Sequence, residues 1–308
     1  MTDLLTLQNS SWQVGILPSA GASVAFGRIT DGDSGWLDFM RPTDPSQYGI
    51  ADETASYVLS PWSNRIRDGV LRFRGRTHQL GRWANDGTAI HGTARVFPWR
   101  VLESGETRVS LAFSSTDGVG ANFPWRFSTA VTYELDGGRF VTHTTVTNED
   151  DEAFPVGFGH HPYFLRGLAG RVDEVRLQIP CSQQFELEGC MASAPAVPVQ
   201  DWLDFQKSRS LGVEFIDQNL TGRTPGTPIV FDYPESGHRI ELHSDDVYAN
   251  VVIYVPQQGK DFFAVEPVTN ANDGFALFDA GIEGSGTLVL EPGDSVTGSH
   301  HLDHTRLA

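Results

Sequence analysis

The sequence predicts an all-β protein, a large antiparallel β-sandwich, on three observations. Apolar residues recur with period two far more often than with a helical period. Turn dipeptides separate the runs, and 32 Gly and 17 Pro are spread along the chain rather than gathered in a linker. No amphipathic helical stretch exceeds two or three turns, which excludes the alternating helix and strand pattern of a parallel-sheet fold. The elements follow in order. Val109, Leu111 and Phe113 alternate with Ser110, Ala112 and Ser114, and Asp117-Gly118 ends that run in a turn. Phe127, Thr129, Val131, Tyr133 and Leu135 line one face of the next run. Asp136-Gly137-Gly138 then joins it to Arg139–Asn148 as a hairpin. After a turn at Glu149-Asp150-Asp151 comes the segment Gly157–Leu165. Later strands are predicted at 239–243, 247–255, 262–266 and 287–290, with a turn at Glu235-Ser236-Gly237 before the first of them.

The chain has 308 residues and no Ser/Gly/Pro linker or charge block, so one domain spanning 1–308 is expected. With 39% hydrophobic residues and seven Trp it can bury a core without a disulfide or structural metal. Its two cysteines, Cys181 and Cys190, follow no zinc or redox spacing and read as free thiols. A formal net charge of -17 argues against nucleic acid or an anionic membrane surface as partner, because both are bound through excess positive charge. A small, electrically neutral ligand suits this balance better. The N-terminal MTDLLTLQNSSW lacks a basic region followed by an apolar stretch, and no apolar run approaches the ~20 residues of a membrane helix. A cytoplasmic protein, monomer or homodimer, is expected.

Polar residues that interrupt apolar surroundings mark the candidate site. In GFGHHPYFL, Pro162 restricts the backbone of His161, while His160 points to the opposite face of a strand; spacing alone leaves both in play. Glu266 follows the apolar Phe262-Phe263-Ala264-Val265 and precedes Pro267, which predicts a strand-end carboxylate whose partial desolvation raises its pKa. Glu291, also before a Pro, is followed by Gly-Asp and reads as a turn residue. His91 lies beside Gly92, where the absent side chain lets a ligand approach the backbone. Asn64 and Arg65 offer an amide and a guanidinium side by side, suited to sugar hydroxyls, and Asp217 follows an apolar pair as a ligand acceptor or a turn cap. Two imidazoles and a carboxylate at distant points of a β framework are the parts of an acid/base site. The histidines of Ser299-His300-His301-Leu302-Asp303-His304 lack a helical frame and stand near the chain end, so no metal site is expected there. No phosphate loop, nucleophile elbow or cysteine nucleophile is present.

These residues, taken together, resemble the aldose 1-epimerase (galactose mutarotase) family. The likeness runs from Ala20-Gly21-Ala22 through Asn64-Arg65-Ile66, Ile90-His91-Gly92, Val146-Thr147-Asn148, His161-Pro162-Tyr163-Phe164, Ile216-Asp217 and Val265-Glu266-Pro267 to Leu290-Glu291-Pro292-Gly293. Each motif is short, and their order and spacing carry the weight. The resemblance implies a galactose mutarotase-like supersandwich with an open sugar cleft, a catalytic pair of His161 and Glu266 rather than His160 and Glu291, and no metal or nucleotide cofactor. It also implies that His91, Arg65, Asn64 and Asp217 orient the sugar. The chain departs from the better-known galactose mutarotases in having Gly-His-His-Pro-Tyr-Phe-Leu in place of Asn-His-Thr-Tyr-Phe-Asn-Leu, and Pro-Val-Thr-Asn after Glu266 in place of Thr-Gln. A hexose is the expected substrate, and a hexose 6-phosphate or other anionic sugar, or binding without turnover, is the alternative. Arginines cluster at 65–100, with Arg72, Arg74 and Arg76 alternating as if on one face of a strand and only Arg65 placed in the cleft by a motif.

Overall fold

Alternation becomes burial in the hairpin at the centre of the molecule. In the computed structural model, which describes residues 4–32, 35–170, 174–257 and 260–307, Phe127, Thr129, Val131, Tyr133 and Leu135 are buried and the residues between them are not. The partner strand Arg139–Asn148 repeats the pattern from Phe140 to Asn148. The register runs unbroken from Phe127 opposite Asn148 to Asp136 opposite Arg139, so Gly137-Gly138 forms the two-residue loop the sequence predicts. Gly137 adopts φ 56°, a conformation that costs glycine little.

Among the described residues this hairpin belongs to a nine-stranded antiparallel sheet. Its neighbours include Arg108–Ser114 on one side and, on the other, Ser295–Arg306 followed by His238–Ser244 and Ile229–Tyr233. A second sheet of eight strands has Phe262–Val268 inside it, flanked by Asn250–Val255 and by the short Gly159–His160 and Tyr163–Leu165. The inner faces of the two sheets share one apolar core, in which Val109, Phe127 and Phe231 meet Ile253, Phe263 and Val265. Phe231 and Phe263 touch across it with ring centroids 5.8 Å apart. A sandwich of antiparallel sheets is therefore the architecture, as expected. The largest helix is Gly274–Asp279, and no helix among the described residues is long and apolar enough to cross a membrane.

The N-terminal region adds a four-stranded sheet, Leu5–Gln8, Trp12–Leu17, Ser23–Thr30 and Trp36–Asp38, that has no alternating signature. Trp12–Leu17 is buried on both faces apart from Gln13, so a period-two pattern has nothing polar to alternate with. The arginine run is also placed differently from expectation. Arg72 lies on Val70–Phe73, Arg76 on the returning Arg76–Gln79, and Arg74 in the turn at φ 47°. Arg74 and Arg76 pair with Glu291 and Glu152 on the exposed surface, where such pairs contribute roughly 0–1 kcal/mol. Glu291 is thus a surface ion-pair partner, in keeping with its turn sequence. Cys181 and Cys190 are free thiols, the first buried and the second half-buried.

Candidate active site

All six residues singled out in the sequence, Asn64, Arg65, His91, His161, Asp217 and Glu266, line one cleft of about 210 Å³. Three tyrosines, Tyr57, Tyr163 and Tyr254, complete its wall. The cleft opens on the face of the eight-stranded sheet turned away from the shared core. Strand alternation selects what reaches that face: Phe263 and Val265 enter the core, whereas Glu266 stands between Ala264 and Val268 on the other side. Register aligns the neighbours, with Val252 opposite Glu266, Tyr254 opposite Ala264, and Asp217 opposite Tyr254. Glu266 is not the strand-end carboxylate that Pro267 suggested; it lies inside Phe262–Val268 and is only 2% exposed. Being fully walled in, it is more strongly desolvated than a strand end would be.

The two adjacent histidines separate by the same period. His160 turns inward, where its Nε2 meets Thr144 Oγ1 at 2.7 Å and its ring lies 4.7 Å from His300. His161 turns outward and places Nε2 3.1 Å from Glu266 Oε1. Tyr57 stacks on the His161 ring at 4.8 Å and Tyr163 packs at 4.5 Å on it, so the imidazole has little freedom to swing. Backbone bonding holds the segment as well, since His161 N–H donates to Tyr57 O at 3.0 Å. His91 stands edge-on to His161 with centroids 5.3 Å apart.

The neighbourhood of His91 is assembled by backbone geometry that few residues adopt. Asn64 and His91 take φ 53° and 60°, and His91 N–H donates to Asn64 O at 2.8 Å beside the short ladder of Arg65–Ile66 with Ala89–Ile90. Gly92, at φ 68°, does not serve ligand approach as expected. A Cβ there would lie 2.0 Å from Ser60 O, so the missing side chain admits the Ser60 backbone and fixes the loop that carries His91.

Burial dominates the electrostatics. Desolvation pushes the Glu266 carboxyl well above its ordinary range, and the Asp217 carboxylate adds to the rise. Desolvation, helped by the Arg41 guanidinium, lowers His161 to about 3. His91 is pulled well down by burial and then by His161. In the free cleft burial thus favours the uncharged form of each group, a protonated Glu266 beside a neutral His161. Glu266 Oε2 and His91 Nδ1 are buried without a hydrogen-bond partner among the described residues, which leaves capacity for ligand hydroxyls. Arg65 donates from Nε to Asp86 Oδ2 at 2.8 Å, and the Cys190 thiol donates to Asp217 Oδ2 at 3.6 Å. Both polar walls of the cleft are thereby oriented before anything binds.

His160 supplies a test independent of turnover. Burial lowers it from 6.5 to about 3. Between those values the folded state binds fewer protons than the unfolded chain, so this contribution is complete above pH 6.5 and is lost as pH falls, by about 1.4 kcal/mol per pH unit. His160→Gln, which can still hydrogen-bond Thr144, is expected to reduce the loss of stability between pH 6.5 and 5 by about 2 kcal/mol. Urea unfolding at the two pH values measures it. An identical pH dependence in both proteins would mean that the ring is already charged in the fold.

Tyr57, Tyr254 and Arg41 are not among the residues the sequence points to, and Arg95 stands there only as one of the arginines at 65–100. Arg41 lies over the Tyr163 ring at 3.9 Å and donates to Thr54 O at 2.7 Å. The buried Arg95 pairs with Asp52 and lies 5.7 Å from the Tyr57 ring centroid. None of these carries a local signal, except that Tyr57 and Arg41 sit in polar loops next to apolar strands.

The aldose 1-epimerase family model matches residues 3–302. YphB of Escherichia coli, an uncharacterized protein, is 25% identical over 97% of this chain and 98% of its own length. Among solved structures, a galactose mutarotase-like protein from Clostridium acetobutylicum superposes with a TM-score of 0.85 at 18% identity, covering 98% of this chain and 95% of that one. The aldose epimerase homologue from C. elegans gives 0.84 at 16% identity over the whole of both chains. At these identities the structures establish a common fold. With the family model spanning nearly the entire sequence, the chain belongs to the aldose 1-epimerase family.

Proposed function

We propose that the protein interconverts the α and β anomers of a hexose through the open-chain aldehyde, with Glu266 and His161 as the acid/base pair. The observation that carries this reading is the facing of His161 Nε2 and Glu266 Oε1 at 3.1 Å on the floor of the cleft. In the reactive form the single proton of the pair sits on His161. Glu266 takes the proton from the O1 hydroxyl as the C1=O1 bond forms; the C1–O5 bond breaks, and O5 accepts the proton from His161. Atoms and charge balance, leaving protonated Glu266 and neutral His161. That is the protonation state burial favours, so the ring-opened stage places no unpaired charge in the cleft. Rotation about C1–C2 and closure by the reverse transfers yield the other anomer. His91 hydrogen-bonds near the ring oxygen, and Asn64, Arg65 and Asp217 hold hydroxyls so that O1 and O5 meet the pair. No proton leaves the site and no metal or nucleotide takes part.

A neutral sugar fits the charge balance of the cleft. Arg65 is offset by Asp86 and Arg95 by Asp52, while Asp217 adds a negative wall. The second reading, an anionic sugar such as a hexose 6-phosphate, rests on Arg41, which among the described residues has no carboxylate within ion-pair distance and is held by carbonyl oxygens instead. Polarimetry and NMR on freshly dissolved glucose, galactose and their 6-phosphates at two salt concentrations separate the two. The expected result is faster equilibration of a neutral hexose, insensitive to salt. A salt-sensitive preference for the phosphates in kcat/KM would overturn the neutral assignment, and binding without acceleration of any of them would mark a sugar-binding protein instead.

A further inference from the structure

The C-terminal histidines, which the sequence presents as one cluster, are divided by the strand Ser295–Arg306 between two faces of the nine-stranded sheet. His300 and His304 turn inward, the first against His160 and the second stacked on His238 at 5.1 Å. His301 and Asp303 turn outward. There they meet Glu241 and His243 of the adjacent strand, because the register sets His243 directly opposite His301 and Glu241 directly opposite Asp303. Two imidazoles and two carboxylates thus form a square on one exposed face, each side chain about a quarter to a third exposed.

We propose that this square is a binding site for a divalent transition-metal ion of zinc type, clamping His238–Ser244 to Ser295–Arg306. One donor atom from each of His243, His301 and Asp303 lies within 4.8 Å of the others. Asp303 Oδ2 is 3.5 Å from His301 Nε2 and 3.7 Å from His243 Nε2, and Glu241 Oε2 is 3.3 Å from His243 Nε2. Donors around a tetrahedral ion with bonds of 2.0–2.2 Å stand roughly 3.4 Å apart. Rotations of side chains at the surface bring His243, His301 and Asp303 onto one ion, with Glu241 standing next to His243. The two imidazoles stack face to face, 5° from parallel at a centroid distance of 4.7 Å, so tilting one ring aims both Nε2 atoms at a shared ion. Two imidazole nitrogens beside a carboxylate oxygen suit Zn²⁺ and disfavour Mg²⁺ or Ca²⁺, which take oxygen.

A further contact fits a metal site better than a set of casual surface ion pairs. Arg139, opposite Asp303 on the neighbouring strand, donates from Nε to Asp303 Oδ1 at 3.1 Å. The guanidinium holds one carboxylate oxygen and leaves Oδ2 toward the imidazoles, an outer-shell arrangement that orients a ligand. The face lies on the sheet opposite to the one that bears the sugar cleft. The ion would therefore stabilise the fold without entering the proton transfers proposed above.

Calorimetric titration of the untagged, chelator-treated chain with Zn²⁺ tests the site, and Co²⁺ absorption reports the geometry. Saturable binding of one equivalent, a higher unfolding temperature with Zn²⁺ and intense visible bands of tetrahedral Co²⁺ are expected. His243→Ala combined with His301→Ala should weaken this binding by at least on the order of 10²-fold, and Arg139→Gln by about 10-fold. His143→Ala, on the same face but outside the square, should leave it unchanged. Absence of saturable Zn²⁺ binding, or equal binding by the His243/His301 double variant, would overturn the proposal. Should that variant unfold, His301→Gln alone provides the same comparison through loss of a single ligand. Because binding is read directly, the result does not depend on whether mutarotation is the activity.

Discussion

Glu266→Gln is expected to lower kcat for mutarotation by on the order of 10² to 10⁴ while sugar binding largely survives. The amide keeps the volume and one acceptor oxygen, but it can neither take the O1 proton nor return it. The site gives a reason for a loss near the upper end of that range. Glu266 is 2% exposed and faces His161 directly, so little room remains for water to act as a substitute base. Folding should tolerate the change, because burial already favours the uncharged form of this carboxyl. Glu291→Gln is the matched control: it removes a surface pair with Arg74 and should leave turnover intact. Initial rates by polarimetry, with binding followed separately, decide the matter. Near-wild-type turnover by Glu266→Gln together with an inactive Glu291→Gln would assign the base to the wrong carboxylate.

His161→Ala should cut kcat by a similar factor, because O5 then leaves without a proton donor. Removing a ring packed between Tyr57 and Tyr163 also opens a cavity, and such truncations typically cost a few kcal/mol. His161→Gln fills most of that space and still cannot act as acid, so the two variants separate lost chemistry from lost packing. Both should be impaired in kcat, with the alanine variant alone markedly less stable. His160→Gln should retain turnover, since its ring bonds Thr144 beneath the sheet. An active His161→Gln beside an inactive His160→Gln would reverse the assignment.

Much of this site was legible before folding was considered. The choice of face depends only on parity along a strand, which is why the opposite directions of His160 and His161 could be read from adjacency. Parity also explains the division of His300 and His301, which the run of histidines hides until a strand is laid through it. The apolar neighbours of Glu266 mark it in the sequence but not its depth, because Pro267 reads locally as a terminator while the flanking strand Asn250–Val255 continues the ladder past it.

The class of fold, the central hairpin, the resemblance to the family and the six residues of the cleft are all readable along the chain before any of it is folded. The fold class and the hairpin follow from local quantities, period-two burial and turn chemistry, and the family from the resemblance carried by the order and spacing of short motifs. Only the folded chain shows that Arg41 and Arg95 lie by the rings of Tyr163 and Tyr57 in the cleft wall, that Gly92 makes room for Ser60 rather than for a ligand, and that Arg72, Arg74 and Arg76 lie around a hairpin on the surface. It also shows that Glu241 and His243 stand against His301 and Asp303. The physical reason is common to all of them. Each depends on which distant backbone approaches, through packing and sheet register, and the energy of such an approach is spread over many weak contacts between segments. No single residue or local pattern carries enough of that energy to announce it.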